Sequence, residues 1–299
     1  MKRIAYRGWK NARRLANRTV DLIEPFMPRE VVLYFNQSVN AALKDPVVRQ
    51  AISNAIDKST LVNELYGPSA RVIHSQVLPG ELGYTETIED AYDSTAANTL
   101  LVEAGYTLQE NSDIRLLKSS LQSEEEPGKT LSLVLTAPDL PEMHFVGEKI
   151  QSHLQAIGIE MTLSFVSPEL MTTDVIAPRN FELLLATIQL EADPDPYPFW
   201  HSSQSKGSGL NLVSYSNSEV DTLLTDARGL TDPMARAEKY KQFQALIAKD
   251  VPAVYLYQLT YGYALPKKVQ HSNIDRIVIP SDRFADITSW YVKTKKALR

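Results

Sequence analysis

The sequence contains no cysteine, which removes disulfides, thiolate metal sites, a cysteine nucleophile and a lipid-modified cysteine anchor from consideration. It also lacks any apolar run near the roughly 20 residues that a membrane helix requires. Its start, MKRIAYRGWKNARRLANRTVDLIEPF, has no apolar core of a signal peptide. Histidine is scarce, and His74, His144, His153, His201 and His271 show no HExxH or comparable spacing, so neither a catalytic zinc site nor any cofactor is expected. Acid is missing from residues 1–18, which hold Lys2, Arg3, Arg7, Lys10, Arg13, Arg14 and Arg18 but none of the 36 acidic residues. Residues 1–27 therefore read as a basic, disordered tail, either simply solvated or the cytoplasmic flank of a span in a longer relative. No basic stripe with interleaved aromatics continues into the acidic body, which argues against nucleic-acid binding.

What is present is ample apolar material: 43% of 299 residues, enough for one large or two medium domains. Asp45-Pro46 sets an N-cap and a proline at the first helical position, and Val48, Ala51, Ile52, Ala55 and Ile56 follow at helical spacing. Ser59 is placed to cap a second short helix that Gly67 ends, and Tyr92-Asp93-Ser94 opens a third that stops at Gly105. LSLVLTA (131–137), the helical repeat Val146, Ile150, Leu154, Ile157 and IEMTLSF (159–165) form a β-α-β unit with parallel strands. FELLLATI (181–188) is too continuously apolar for a half-exposed strand and suits a central one. Helices from NSEVDTLLTDAR and from Asp232-Pro233 onward precede a strand at VPAVYLYQL (251–259).

EADPDPYPFW (191–200) hangs directly off the buried strand, where open α/β sheets place ligands. Pro194, Pro196 and Pro198 each fix a φ angle, lowering the entropy that binding must remove. Asp193 and Asp195 are candidate acceptors for a ligand ammonium, or turn-formers like Asp45 and Asp232. Tyr197, Phe199 and Trp200 would form an apolar wall and His201 a pocket edge; Lys206-Gly207-Ser208-Gly209 reads as a mobile lip, and Asn211 just beyond it is a further binding candidate. Asn36, at the end of the VVLYF strand, either faces a cleft or caps that strand.

In order and spacing, VVLYFNQ, DPVVRQAISNAIDKSTLVNELYG, YDSTAANTLLVEAGY, AIGIEMTL, FELLLATIQLEADPDP, YSNSEVDTLLTDAR and AEKYKQFQALIAKDVPAVYLYQ resemble the peptide- and nickel-type extracellular solute-binding proteins of ABC importers. The resemblance covers residues 31–260 and implies a periplasmic-binding-protein-like α/β lobe, a mixed sheet flanked by helices, lacking most of the first lobe. It implies three regions: the tail 1–27, a lobe with two hinge strands at 28–265, and a segment 266–299 that returns to the first lobe. Ile277, Ile279, Phe284, Trp290 and Tyr291 of that last segment would then lack apolar cover.

The implied activity is non-covalent capture of a peptide, without catalysis, in an extracytoplasmic compartment. The implied partners are the peptide, a membrane permease and a missing first lobe. The family reads a glycine-tryptophan pair, two residues, then an aspartate that takes the ligand's ammonium. Here Gln189-Leu190 stands for the pair and Asp193 for the aspartate. Two alternatives stay open: a non-transporting interaction or sensory module of the same fold, and a small hydrolase using Asp193 or Asp195.

Overall fold

The computed structural model describes residues 19–86, 91–122, 128–270, 272, 274 and 277–292. Along the chain run β1 (Val20–Ile23), β2 (Phe26–Phe35), α1 (Ala41–Lys44), α2 (Pro46–Ala55), α3 (Lys58–Leu65), β3 (Ala70–Val72) and α4 (Ser94–Glu103). Next come β4 (Ser132–Pro138), α5 (Pro141–Gln155), β5 (Glu160–Val166), β6 (Leu183–Gln189), α6 (Tyr197–Trp200), α7 (Ser218–Gly229) and α8 (Pro233–Asp250). The chain continues through β7 (Ala253–Thr260), β8 (Tyr263–Pro266), β9 (Val269–Gln270) and β10 (Tyr291–Val292).

Six strands form one mixed sheet in the order β3-β7-β2-β6-β4-β5. β4 pairs in parallel with both β5 and β6, whereas β2 pairs antiparallel with β6 and β7. The β4-α5-β5 unit is thus parallel, and the apolar 181–188 run supplies a central strand. Side chains alternate across the pleat. Val31, Leu33 and Phe35 enter an apolar layer with Ile52, Leu61, Leu101, Val146 and Ile150 of the helices α2 to α5. Val32 and Tyr34 enter a second layer with Trp200, Val220, Phe243 and the segment carrying Ile73, Val77 and Leu78.

Local chemistry explains where the helices begin. The Asp45 carboxylate accepts from Val47 N–H at 3.0 Å and Asp93 from Ala96 N–H at 2.8 Å, each satisfying a donor that the helix leaves open. The expected cap at Ser59 is displaced: Asp57 caps α3 by accepting from Thr60 N–H at 2.9 Å, and Ser59 lies inside the helix. Gly158, at φ 82°, stops α5 where a Cβ would sit 2.8 Å from Arg115 Cγ. That left-handed turn therefore needs glycine.

The expected tail boundary at residue 27 is corrected by strand pairing. Val20–Ile23 pairs with Tyr263–Pro266, and β2 begins at Phe26; residues 1–18 lie outside the described residues. Met27, Ile274 and Ile277 form a third, small apolar cluster beside Ile23, Tyr261, Tyr263 and Trp290. Of the residues expected to lack cover, Ile279, Phe284 and Tyr291 are exposed, whereas Ile277 is buried and Trp290 is half-buried, with its indole N–H on Asp286 at 2.7 Å.

Candidate functional site

β4, β5 and β6 end together at Pro138, Val166 and Gln189, and β2 starts at that same end of the sheet, with Arg29 opposite Gln189. The chain leaves β6 through Leu190, whose N–H still bonds Pro28 C=O at 2.7 Å. Leu190 itself is buried in the second apolar layer, so position 190 faces the core and offers no stacking surface to a ligand.

The two loop aspartates differ. Asp195 Oδ1 accepts from Tyr197 N–H at 3.2 Å, while its Oδ2 takes Arg228 Nε at 3.0 Å and Nη2 at 2.6 Å. Asp193 is 63% exposed at its side chain, and among the described residues its one hydrogen-bond partner is Arg236, whose Nη2 donates to Oδ2 at 2.8 Å. Arg236 also donates to Pro194 C=O and to the Tyr240 hydroxyl. Partial burial opposes its charge, but the bonds to Asp193 and Tyr240 outweigh that and hold the guanidinium firmly protonated.

The aromatic residues of the loop split in the same way. Arg228 lies 3.8 Å over the Tyr197 ring, which stacks on His201 at a centroid separation of 4.1 Å. His201 Nδ1 accepts from Ser203 N–H at 3.1 Å, which leaves Nε2 as the protonated nitrogen in the neutral ring, facing Thr225 Oγ1 at 3.3 Å. This stack is a surface feature. Trp200 is fully buried among Tyr34, Tyr215 and Tyr255, and so is an anchor for the loop, where a pocket-wall position had been expected.

Both candidate asparagines also turn inward. Asn211 donates to His201 C=O and Tyr215 C=O and accepts from Tyr215 N–H, closing the Ser/Gly lip. Asn36 donates to Arg179 C=O and Phe181 C=O and accepts from Ser38. Each amide spends its polar atoms on this chain, so Asn36 has the strand-end role and not the cleft-facing one. Asp195, Tyr197 and His201 are brought together through Arg228, and Asp193 stands apart with Arg236; Asn36, Trp200 and Asn211 belong to neither group.

Sequence reasoning missed Arg228 and Arg236, which neutralise the loop from α7 and α8. It also missed a polar cluster where β4 and β5 end. His144 Nε2 meets Asp139 Oδ1 at 2.7 Å, and the imidazole stacks on Phe165 with centroids 3.6 Å apart. Among the described residues no group of three or more His, Asp or Glu is placed to hold a metal, and no helix is long and apolar enough to cross a membrane.

The structure is thus a mixed sheet with helices on both faces and polar loops gathered at one end. Residues 8–210 match the model of the bacterial extracellular solute-binding proteins, family 5 Middle, and the chain belongs to that family of solute-binding, non-catalytic proteins. It is 29% identical over 236 residues to the oligopeptide-binding protein AppA of Bacillus subtilis (strain 168), covering 77% of this chain and 42% of the relative. It is 28% identical over 245 residues to the probable D,D-dipeptide-binding periplasmic protein DdpA of Escherichia coli (strain K12), covering 81% and 43%. The solved structure of Bacillus subtilis AppA in complex with a nonapeptide superimposes with a TM-score of 0.79 at 25% identity, over 97% of this chain and 55% of that one. The chain spans about half the length of the relatives it matches. Family membership removes the hydrolase alternative, and Asp195, locked by Arg228, is poorly placed for acid-base work.

Proposed function

We propose that this chain is the C-terminal lobe of the substrate-binding component of an ABC-type peptide importer. It captures peptides outside the cytoplasm without covalent chemistry and presents them, with a first lobe, to a membrane permease. The observation that carries the reading is the Asp193 carboxylate: it stands exposed beyond the end of β6, engaged through one oxygen, on a loop stiffened by three prolines. A carboxylate so placed suits a peptide's terminal ammonium, since charge-assisted hydrogen bonds contribute about 1.5–3 kcal/mol each. The names of the relatives support a peptide as the solute, one being an oligopeptide binder and the other a probable D,D-dipeptide binder.

Other groups at the same end of the sheet suit the rest of a peptide. His144 on Phe165 offers a stacked ring with an acid behind it, and Arg29 stands exposed beside Gln189. Calorimetric titration of the protein with short free-amine peptides at millimolar concentration tests the proposal. Saturable heat with free-amine peptides, reduced for the N-acetylated forms, is the expected result. No saturable heat with any peptide would favour the alternative of an interaction or sensory module that keeps the fold without the transport role.

A further inference from the structure

Buried polar atoms without partners are rare in folded proteins, and here they concentrate in the second apolar layer. Glu30 is 0% exposed, and both its carboxyl oxygens lack a hydrogen-bond partner. Both ends of the Gln76 amide share that condition, and beside them the Trp200 indole N–H and the Tyr255 hydroxyl have no partner apart from each other. Glu30 lies on the β2 face that carries Val32 and Tyr34, and across the sheet it is in register with Gln258 of β7 and Ile188 of β6.

The cover on that face includes a strap with no regular secondary structure. Residues 75–83 are clamped at both ends by one buried glutamine of α8. Ser75 Oγ donates to Gln244 Oε1 at 2.9 Å, and Gln244 Nε2 donates to Gly83 C=O at 2.8 Å. Val77 and Leu78 press into the layer, and at Gly83 a Cβ would come within 2.8 Å of Tyr240 Cβ. The strap is therefore tightly seated, pinned at its ends by Gln244 and at Pro79 by Arg71, with no ladder of sheet or helix bonds.

We infer that Glu30 and the partnerless groups of its layer form a buried proton-binding site that makes the seating of the 75–83 strap sensitive to pH. As a neutral acid, Glu30 can stay in this layer. Once it has lost its proton the carboxylate needs donors or water, and the strap is the cover that can lift, since the flanking strands β6 and β7 are held by sheet pairing.

The groups that face this site from each packed element work in the same direction or are neutralised. Glu81, on the strap, adds a like charge; Tyr34 of β2 and Tyr255 of β7 are both held protonated by burial first and by the Glu30 charge second. From β3, Arg71 is taken up by Gln258 at 2.7 Å and by Pro79 C=O. From α8, Tyr240 is taken up by Arg236, and β6 contributes Ile188 alone in this register. Burial, with Glu81 second, holds the Glu30 acid well above the ordinary carboxylate range.

The sign follows from linkage. Between the ordinary carboxylate value and the raised one, the folded chain binds one more proton than the unfolded chain. Stability is then fully present below the ordinary value and declines as pH rises. The unfolding constant grows about tenfold per pH unit in that window.

The experiment compares the wild-type chain with Glu30→Gln by denaturant unfolding, and by hydrogen exchange of the 73–84 amides, from the ordinary carboxylate range up to pH 9. Expected are wild-type and variant unfolding constants that diverge by about tenfold per pH unit above the ordinary carboxylate value and stop diverging once the raised value is passed, and strap exchange that accelerates in the wild type relative to the variant. Parallel pH profiles would overturn the inference. Should Glu30→Gln fail to fold, the carbon-13 shift of the Glu30 side-chain carboxyl in the wild-type chain decides: a titration midpoint above the ordinary carboxylate range supports the site, and an ordinary carboxylate titration refutes it.

Discussion

The chain writes aspartate-proline four times, and the two occurrences that start long helices differ from the two in the loop after β6. Asp45 and Asp232 each accept from the backbone N–H two residues on, and α2 and α8 follow. Asp195 makes the same bond to Tyr197, but only the four-residue α6 follows, and its other oxygen is held by Arg228. Asp193 makes no cap among the described residues and stands exposed with one arginine. The same dipeptide is thus a helix start at two sites, a pinned turn at a third and an available carboxylate at the fourth. What separates them is the surroundings, namely how many other groups the carboxylate must satisfy.

That ordering can be broken by substitution. Asp45→Ala should be the most costly, at about 3 kcal/mol, because it removes the cap of α2 and also strands the buried Tyr106 hydroxyl, 2.9 Å from Oδ2, and Lys118. Denaturant unfolding measures it, and a loss below that of Asp232→Ala would reverse the comparison. The same carboxyl carries a pH signature. Burial pushes Asp45 upward, but hydrogen bonds from Lys118, Val47 and Tyr106 outweigh it and hold the group below its ordinary value. Its contribution is therefore present above the ordinary carboxylate value of about 4 and is lost as pH falls through the lowered one. Between pH 5 and pH 2 the melting temperature should fall further for the wild type than for Asp45→Asn.

Asp232→Ala, an exposed cap with one bond, should cost about 1 kcal/mol. Asp195→Asn should cost less, about 0.5 kcal/mol, because the Arg228 pair is solvent-exposed and asparagine keeps the turn. Asp193→Asn should leave the unfolding midpoint within about 0.3 kcal/mol of the wild type, as expected for a surface ion pair. A larger loss at 193 than at 195 would make Asp193 a structural residue and collapse the distinction.

The parts of this account that were legible in the sequence rest on short-range patterns. The β4-α5-β5 unit, the central strand at 181–188 and the caps at Asp45 and Asp93 all follow from periodicity and capping chemistry within a few residues. What was hidden depends on groups far apart in the chain. Arg228 and Arg236 meet the loop from positions 33 and 43 residues away, and no local spacing announces such pairs. Val20–Ile23 looks like the end of a tail because four residues carry little pattern, and its strand partner lies at 263–266. Asn36, Trp200 and Asn211 have residue types suited to a pocket and are nonetheless interior, since type alone does not say which way a side chain points. Glu30 drew no reading from the sequence for the converse reason: nothing about a lone acid within MPREVVLYF announces its burial, which only the sheet order, with its strand in the middle, brings about.

The most direct test of the central claim is calorimetric titration of Asp193→Asn and the wild type with one short peptide, as free amine and N-acetylated. The substitution keeps shape and some hydrogen bonding but removes the charge. If Asp193 reads the ammonium, affinity for the free amine falls by about 2 kcal/mol, roughly 30-fold, while the acetylated peptide changes little and Asp195→Asn leaves both near wild type. Equal losses for the two peptides at position 193, or none for either, would contradict it and reduce all four aspartates to makers of turns.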